Sequence, residues 1–516
     1  MSYKLQITSY TFSVIRRLFA SECHLFCKRK RNLCAFCFLL ILNSFSQTDP
    51  PLRIELESAK DQQDYKFAPL GDQGVAVFYQ SAILSLDTAQ WVFIHYDTNL
   101  VRTNLFKLKI PNLCQYFAAD LYNNKLFLYL QKPAYKKDSL KNYLLEWNLM
   151  TNDFQLYNLI NYKLPHFSSI KVADDNLFIV INETNAKSIV FYNYKTHSKQ
   201  VTQFTNEEIT SLESFCIDTL KKTTCFCMFL KNKQGSWAEL FITDYSGNIQ
   251  QHSTLPFSSD LIFNSAKIAI VGLDSILLCG GYSSVKDKKT KGSYSGIYSL
   301  LYHKNKFSDI STYSFGALLE KDSGLNIKLL EEQNLTMNAH ITQNNGHIFV
   351  ITDVFYPEYQ YYSSPSFRYY GYYGYDSPTQ SFEGFRFLYS SILELNKKGV
   401  FLNEWFFPIQ NVLTKSFYNL VNLYQDEEEN TLFFYVSKNE IISQLMNGKN
   451  ILGPQSTIPI ELTYKTDILE YSSNIYMQHW YNNSFLVSGY QYIKNSQRGS
   501  GKGKRYVFFL NKLICE

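Results

Sequence analysis

The sequence predicts an all-β protein built as a single β-propeller of four-stranded blades, and two observations lead to that fold class. Tyr and Phe each occur 40 times among the 516 residues, and both favour strands. Short apolar segments that follow polar turns recur at intervals of about 50 residues along most of the chain. Because four short antiparallel strands need about 50 residues, each repeat has the size of one propeller blade.

The apolar segments are expected to be the second strands of the blades, which are buried on both faces by the neighbouring blades. Eight segments have this character: residues 74–79, 125–130, 176–181, 224–229, 275–279, 347–351, 431–436 and 484–487. Third strands that end in an Asp or Asn turn are predicted at residues 91–97, 144–148, 190–194, 240–244, 392–396 and 507–511. Eight segments favour eight blades, with seven as the alternative and two separate β domains as the competing architecture.

The two ends of the chain are predicted to meet in one blade. The sequence stops shortly after the third strand at residues 507–511, so the last blade lacks a fourth strand. Residues 52–57 alternate apolar and polar side chains, as a strand with one buried face does. We expect this N-terminal strand to fill the vacant position and close the ring, which removes a free edge that would invite aggregation.

Composition excludes several classes of protein. Hydrophobic residues make up 45% and charged residues 18% of the chain, which is enough for a core and argues against general disorder. Only 22 residues are Gly, which excludes a collagen-like chain. The mean hydropathy of −0.21 excludes a polytopic membrane protein.

The first 47 residues have the layout of an N-terminal extension and a secretory signal peptide. A basic run at 28–31 precedes ten apolar residues at 33–42 and a short polar segment. Ten apolar residues are too few to span a bilayer of about 30 Å as a helix, so no stable membrane span is expected. A short membrane anchor and a buried helix are the alternatives. The ending Phe-Ser-Gln resembles signal peptides of exported Gram-negative proteins and predicts cleavage near Ser46 or Gln47, leaving residues 48–516 as the propeller.

The distribution of charge argues against a nucleic-acid partner. The whole chain carries +5, but residues 1–47 hold seven basic side chains and one acidic side chain. The remainder is therefore close to neutral, and it lacks the basic surface that binds phosphate backbones.

Six cysteines lie outside the first 47 residues, and none forms a C-x-x-C pair: Cys114, Cys216, Cys225, Cys227, Cys279 and Cys515. They are expected to act as small buried hydrophobic residues. In an oxidising compartment, a disulfide between Cys216 and either Cys225 or Cys227 is the alternative. No Cys or His spacing fits zinc, so neither a metal site nor a cofactor is predicted.

No catalytic motif is present in the sequence. It contains no G-x-S-x-G, no H-E-x-x-H and no P-loop. Carboxylates on inner strands could still converge in the central channel of a propeller, and Asp120, Asp174 and Asp353 are the candidates. The acidic run at 426–429 is expected at a solvated hairpin tip. Lys502, Lys504 and Arg505 are expected in a flexible basic loop.

The most unusual stretch is a Tyr-rich insertion at residues 355–386. Nine Tyr fall within twenty residues between 356 and 375, interrupted by Pro and Gly. Pro and Gly disfavour a regular strand, so we predict a long loop that projects from one face of the propeller. Tyr offers large, stiff contact area at low entropic cost, as binding surfaces require. The predicted binding residues are Tyr356, Tyr359, Tyr361, Tyr362, Arg368, Tyr369, Tyr370, Tyr372, Tyr373 and Tyr375. Packing of the insertion on its own propeller, or mobility without a role, is the alternative.

Three segments together resemble uncharacterised exported propeller-like proteins of Gram-negative bacteria: Pro69–Tyr79, Trp91–Asp97 and the Tyr-rich insertion. The likeness concerns most of residues 50–516, and its motifs are structural, so it transfers no activity and no site residue. The sequence therefore predicts an exported, non-catalytic propeller in the periplasm or on the outer cell surface that binds an envelope protein or glycan. A propeller enzyme acting on polysaccharide and a structural component of an envelope assembly are the alternatives.

Overall fold

The structure is a computed structural model, and part of the chain is described in it. The described residues are 52–58, 64–133, 141–159, 167–182, 187–204, 209–231, 236–255, 260–272, 274–284, 295–314, 336–344, 346–362, 379–396, 398–410, 412–415, 418–495 and 503–515. The predicted signal peptide, residues 316–335 and residues 363–378 of the Tyr-rich insertion lie outside these residues.

The chain divides into two compact units, which are Met1–Asn112 with Asn422–Glu516, and Leu113–Val421. The first part of the first unit holds five strands: β1 (Arg53–Glu57), β2 (Lys66–Pro69), β3 (Val75–Ile83), β4 (Thr88–Tyr96) and β5 (Arg102–Pro111). A short 3-10 helix, Gly71–Gln73, precedes β3.

The second unit holds the next 23 strands. These are β6 (Gln115–Tyr122), β7 (Lys125–Lys132), β8 (Lys141–Asn148), β9 (Asp153–Leu159), β10 (Phe167–Ala173), β11 (Asn176–Asn182), β12 (Lys187–Asn193), β13 (Lys199–Phe204), β14 (Ile209–Asp218), β15 (Thr223–Lys231), β16 (Ser236–Asp244), β17 (Ile249–Thr254), β18 (Leu261–Phe263), β19 (Lys267–Gly272), β20 (Ser275–Ser284), β21 (Gly296–His303), β22 (Lys306–Phe307), β23 (Ser311–Ser314), β24 (Thr336–Asn344), β25 (His347–Tyr362), β26 (Thr379–Leu395), β27 (Phe401–Pro408) and β28 (Leu413–Thr414).

The remaining strands return to the first unit. They are β29 (Asn422–Gln425), β30 (Asn430–Ser437), β31 (Glu440–Asn447), β32 (Asn450–Ile451), β33 (Ser456–Pro459), β34 (Asp467–Tyr481), β35 (Ser484–Asn495) and β36 (Lys504–Ile514). Among the described residues, no helix is long and apolar enough to cross a lipid bilayer.

The strands form eight antiparallel sheets of four to six strands, and the fold is an eight-bladed β-propeller, as predicted. All eight predicted second strands occupy the second position of their sheets, as β3, β7, β11, β15, β20, β25, β30 and β35. The six predicted third strands correspond to β4, β8, β12, β16, β26 and β36, each of which pairs with the second strand of its sheet. Three blades belong to the first unit and five to the second.

Burial explains why the second strands are continuously apolar while the outer strands alternate. The five central residues of β11 are all buried, whereas the outer strand β17 is mostly exposed. Phe178 of β11 and Phe226 of β15 belong to one apolar cluster formed by two successive blades. Burial of each Phe side chain stabilises the folded protein by about 2 to 3 kcal/mol relative to an exposed side chain. Contacts between the second strands of successive blades therefore stabilise the packing of the blades.

The N-terminal strand completes the last blade, as predicted. Strand β1 pairs antiparallel with β36, from Arg53 opposite Asn511 to Glu57 opposite Val507. The Arg53 side chain is only 1% exposed. Its guanidinium donates to Glu55 Oε1 at 2.9 Å, Asn511 Oδ1 at 2.9 Å and Gln491 Oε1 at 2.6 Å.

The expectation of a flexible basic loop is wrong for Lys504 and Arg505, because both belong to β36. The Arg505 side chain is largely buried and forms ion pairs with Glu55 and Asp467. Buried charges must be paired, and these two carboxylates hold the pKa of Arg505 above its usual value, against the effect of burial. Lys502 lies outside the described residues.

The structure also tests the expectations for the acidic run at 426–429 and for the cysteines. Asp426 accepts hydrogen bonds from the backbone N–H groups of Glu428 and Asn430, and residues 427–429 are exposed, so the acidic run is a solvated turn. The six cysteines outside the signal segment form no disulfide with one another, and Cys216 alone among them is half-buried. Cys216 lies directly opposite Cys225 in the β14–β15 ladder.

Candidate functional site: an aromatic ribbon

One hairpin of the second unit extends well beyond its blade. Strands β25 and β26 have 16 and 17 residues, whereas the second and third strands of the other blades in that unit have 7 to 10. Within the described residues, the pairing of the inner strand β24 with β25 reaches Phe355. We name the described part beyond that point, residues 356–362 and 379–386, the aromatic ribbon.

The ribbon corrects the expectation of a loop over residues 355–386, because both ends of that stretch are paired strands. The ladder continues from Phe355 opposite Phe387 to Tyr362 opposite Thr379, with irregularities at Val354/Phe355 and Glu358/Tyr359. Pro357 lies in this ladder opposite Phe385, although proline cannot donate a backbone hydrogen bond. Residues 363–378, between the two strands, lie outside the described part of the chain.

Four aromatic rings hold the ribbon together on one face. Tyr359 and Phe382 meet edge to face with ring centroids 5.6 Å apart, and Phe382 meets Phe385 in the same way at 5.1 Å. Phe385 in turn contacts the buried Phe355 at 5.5 Å. Edge-to-face contacts of this kind contribute about 0.5 to 1.5 kcal/mol each beyond area burial. The chain of rings therefore links an exposed aromatic surface to the core of the blade.

An ion pair fixes the two strands of the ribbon to each other. Arg386 donates to both carboxylate oxygens of Glu358, from Nε at 2.6 Å and from Nη2 at 3.0 Å. The hydrogen bonds from Arg386 hold the pKa of Glu358 below its usual value. A bidentate guanidinium–carboxylate contact fixes orientation as well as distance, so it sets the geometry of the ribbon near its base.

The short strand β28 braces the ribbon from the side. Leu413 pairs with Arg386, and Thr414 pairs with Phe385. Gly384 has a φ of +154°, and a Cβ at this position would lie 2.6 Å from the carbonyl oxygen of Thr414. Glycine is therefore required where β28 approaches the ribbon.

The predicted binding residues are distributed as follows. Tyr359 is 45% exposed, while Tyr356 is half-buried beside Arg386. Tyr361 and Tyr362 belong to β25. The remaining predicted residues, Arg368, Tyr369, Tyr370, Tyr372, Tyr373 and Tyr375, lie outside the described residues.

The second strand of the ribbon was not predicted from the sequence. Phe382 is 40% exposed and Phe385 is half-buried next to it. The alternation of Phe385, Phe387 and Tyr389 is the period of a strand and was available as a signal. Glu383 interrupts this alternation, because it is the extra residue at the bulge opposite Glu358 and Tyr359.

The three candidate channel carboxylates have separate partners. Asp120 accepts hydrogen bonds from Lys171 Nζ at 3.1 Å and from the backbone N–H of Val172 at 2.7 Å. Asp174 accepts one from the Tyr122 hydroxyl at 2.8 Å. Both contacts join the blade that contains β6 to the blade that contains β10, so these carboxylates have a structural role.

Asp353 is also a structural contact and is completely buried. It accepts hydrogen bonds from Ser390 Oγ at 2.8 Å and from the backbone N–H of Leu420 at 2.8 Å. Burial raises the pKa of Asp353 to about 7, although these hydrogen bonds and one from Val421 act in the opposite direction. Among the described residues, no group of three or more His, Cys, Asp or Glu side chains is arranged to hold a metal ion.

The sheets and the ribbon define the class of protein as an eight-bladed β-propeller with an extended aromatic hairpin. No model of a protein family matches the chain, and no curated protein matches it either. Several solved structures have a similar fold at low sequence identity.

Three of these structures are a domain of a protease and two lyases. The β-propeller domain of the Trilobed protease from Pyrococcus furiosus is 9% identical, with 78% of this chain and 95% of that chain covered and a TM-score of 0.37. The polysaccharide lyase Uly1 is 9% identical, with 77% and 90% covered and a TM-score of 0.40. The oligogalacturonate lyase from Vibrio parahaemolyticus is 10% identical, with 88% and 98% covered and a TM-score of 0.36.

Proposed function

We propose that the chain is an exported, non-catalytic β-propeller that binds a protein or glycan of the cell envelope through the aromatic ribbon. The observation that carries the proposal is the exposure of two large aromatic side chains on a braced hairpin. Tyr359 is 45% exposed and Phe382 is 40% exposed, and their rings contact each other. Exposed aromatic side chains held rigid by their neighbours are typical of binding hot spots.

A rigid ribbon favours binding, because its side chains lose little conformational entropy when a partner binds. The rings pack in sequence down to Phe355, and the Arg386–Glu358 ion pair holds the strands together. Association loses about 0.5 to 1.5 kcal/mol for each mobile side chain that becomes fixed, and the ribbon avoids part of this loss.

The exposed aromatic rings favour a protein as the partner. Tyr359 and Phe382 are both exposed, and aromatic side chains are enriched in protein–protein interfaces relative to the rest of the surface. Export to the periplasm or the outer surface rests on the signal-peptide pattern of residues 1–47.

The test compares three proteins that differ only at exposed aromatic positions. The binding variant carries Tyr359→Ser and Phe382→Ser. The matched control is Tyr471→Ser, because Tyr471 is 43% exposed and stacks on Tyr492 at 5.4 Å, yet lies in the other unit. All three are used as bait against solubilised envelope proteins and against isolated envelope glycans.

We expect the parent and the control to retain the same envelope protein and the binding variant to lose at least about tenfold in affinity for it. Thermal midpoints should differ by no more than a few degrees, as the loss of one or two ring contacts implies, and a cooperative unfolding transition in all three proteins excludes misfolding. Retention of a glycan in place of a protein would identify the other class of partner. Equal capture by all three proteins would refute the ribbon as the binding surface, and polysaccharide cleavage by the parent would support the enzymatic alternative.

A further inference from the structure

A cleft between two blades of the second unit has the size of a small-molecule site. It has a volume of about 440 Å³ and lies between the sheet β14–β17 and the sheet β18–β23. The turn that follows β14 and the turn that follows β21 stand on its two sides, at Lys221 and Lys304. Clefts of about 300 to 1,000 Å³ accommodate small organic ligands.

The charged side chains of the cleft balance one another. Its lining contains two lysines, Lys221 and Lys304, and two aspartates, Asp218 and Asp274. Lys221 Nζ lies 2.6 Å from Asp274 Oδ1, which neutralises one pair across the cleft. A site for phosphate or for an acidic ligand requires an excess of positive charge, so this lining favours a neutral ligand.

Three side-chain amides in the lining have no hydrogen-bond partner within the described part of the chain. They are Gln250 and Gln251 of the outer strand β17, and Asn305 of the turn after β21. A side-chain amide supplies two donors and one acceptor oxygen. Gln250 and Asn305 are exposed and Gln251 is half-buried, so water solvates these amides in the free protein. Hydroxyl groups both donate and accept, so a ligand with several hydroxyl groups can replace that water.

The inner wall of the cleft is apolar. Tyr302 is buried, and its hydroxyl is bonded to Ser253 Oγ at 3.0 Å, which fixes the plane of its ring. Ile276 is also buried and lies beside it in the lining. An apolar wall facing a polar rim suits a ligand with one carbon-rich face and several hydroxyl groups at its edge.

We propose that this cleft binds a neutral saccharide of one or two units. The saccharide hydroxyls contact the amides of Gln250, Gln251 and Asn305, and its C–H face packs against Tyr302 and Ile276. The cleft belongs to different blades from the aromatic ribbon, so this proposal does not depend on the proposed function.

The test measures binding of defined neutral disaccharides to the full chain. Maltose, cellobiose, lactose and N,N′-diacetylchitobiose are the probes, with glucuronic acid and inorganic phosphate as charged comparisons. Saturation-transfer NMR reports contact, and calorimetry reports affinity. The cleft variant is Gln250→Ala with Gln251→Ala.

The matched control is Gln200→Ala with Gln203→Ala on β13, the outer strand of the preceding blade. Gln200 pairs with Phe191 as Gln251 pairs with Ile242, so both variants change an equivalent strand. We expect at least one neutral disaccharide to bind the parent and the control, and the cleft variant to bind it about tenfold more weakly, as the loss of two hydrogen bonds implies.

Three results would overturn the proposal: no neutral probe binds at about 10 mM, the cleft variant binds as tightly as the parent, or the charged probes bind more tightly than every neutral one. The Tyr359→Ser, Phe382→Ser variant separates the two proposals. It should keep its saccharide affinity, and loss of that affinity would assign the saccharide to the ribbon instead of the cleft.

Discussion

Arg53 in the N-terminal strand donates a hydrogen bond to Asn511 Oδ1 of the last strand at 2.9 Å, across a separation of 458 residues. The same guanidinium donates to Gln491 Oε1 at 2.6 Å and lies over the ring of Phe509 at 4.5 Å. The closing contact of the last blade is therefore a buried polar network as well as a strand ladder. Its partners come from the two ends of the chain, so the network forms only when the blade is complete.

We expect Arg53→Ala to lower the free energy of unfolding by about 3 kcal/mol, because it breaks a buried ion pair and leaves Glu55 partly uncompensated. Urea unfolding followed by tryptophan fluorescence measures the effect. Lys66→Ala is the control, since Lys66 pairs with Asp64 at a much more exposed position. The control should change stability by less than about 0.5 kcal/mol, and an equally small effect of Arg53→Ala would contradict the proposed role of the network.

The second prediction concerns the glycine at the brace of the aromatic ribbon. Gly384→Ala places a methyl group 2.6 Å from the carbonyl oxygen of Thr414, so β28 must move away from the ribbon. We expect faster hydrogen exchange at residues 380–386 and weaker binding of the envelope partner. Gly448→Ala is the control, because Gly448 also has a positive φ but a Cβ there meets no atom within 4 Å. Equal exchange in both variants would show that β28 does not brace the ribbon.

Most of the fold was predictable, because the second strands carry a signal that does not depend on distant contacts. Segments such as 177–181 are apolar throughout, since each blade is covered on both faces. The position of β1 was also predictable, because residues 52–57 alternate and the last blade lacked a strand.

The ribbon was harder to predict because a local rule gave the wrong expectation. Pro and Gly residues in the Tyr-rich insertion disfavour a regular strand, yet Pro357 lies in the β25–β26 ladder opposite Phe385. Arg505 was assigned to a flexible loop because it lies close to other basic residues, and its partners, Glu55 and Asp467, are distant in sequence. Contacts of that separation are set by the tertiary structure and have no local pattern.

The third prediction tests export. If residues 1–47 are a signal peptide, the full chain expressed in a Gram-negative host should appear in the periplasm with a new N-terminus near Thr48. Replacing Arg29, Lys30 and Arg31 with Glu removes the positive charge before the apolar segment, and the precursor should then accumulate in the cytoplasm. Mass spectrometry of the mature N-terminus decides the question. An intact N-terminus in every fraction would refute cleavage.

The last prediction concerns the buried carboxyl group of Asp353, which lies where the aromatic ribbon leaves its blade. Burial raises its pKa to about 7 in the folded protein, whereas an unfolded Asp titrates near 3.9. Between these values the folded state holds a proton that the unfolded state has lost. Asp353 therefore stabilises the fold most below about pH 4, and this contribution is lost as the pH rises towards 7.

Asp353→Asn should remove this pH dependence, because the amide stays neutral at every pH and its oxygen still accepts a hydrogen bond from the backbone N–H of Leu420. Thermal midpoints at about pH 5 and about pH 8 measure the effect, and the parent should lose more stability over that interval than the variant. Asp309→Asn, at an exposed position, is the control and should follow the parent. If parent and Asp353→Asn lose stability equally, Asp353 is ionised in the folded state, and the hydrogen bonds from Ser390 and Leu420 outweigh the effect of burial.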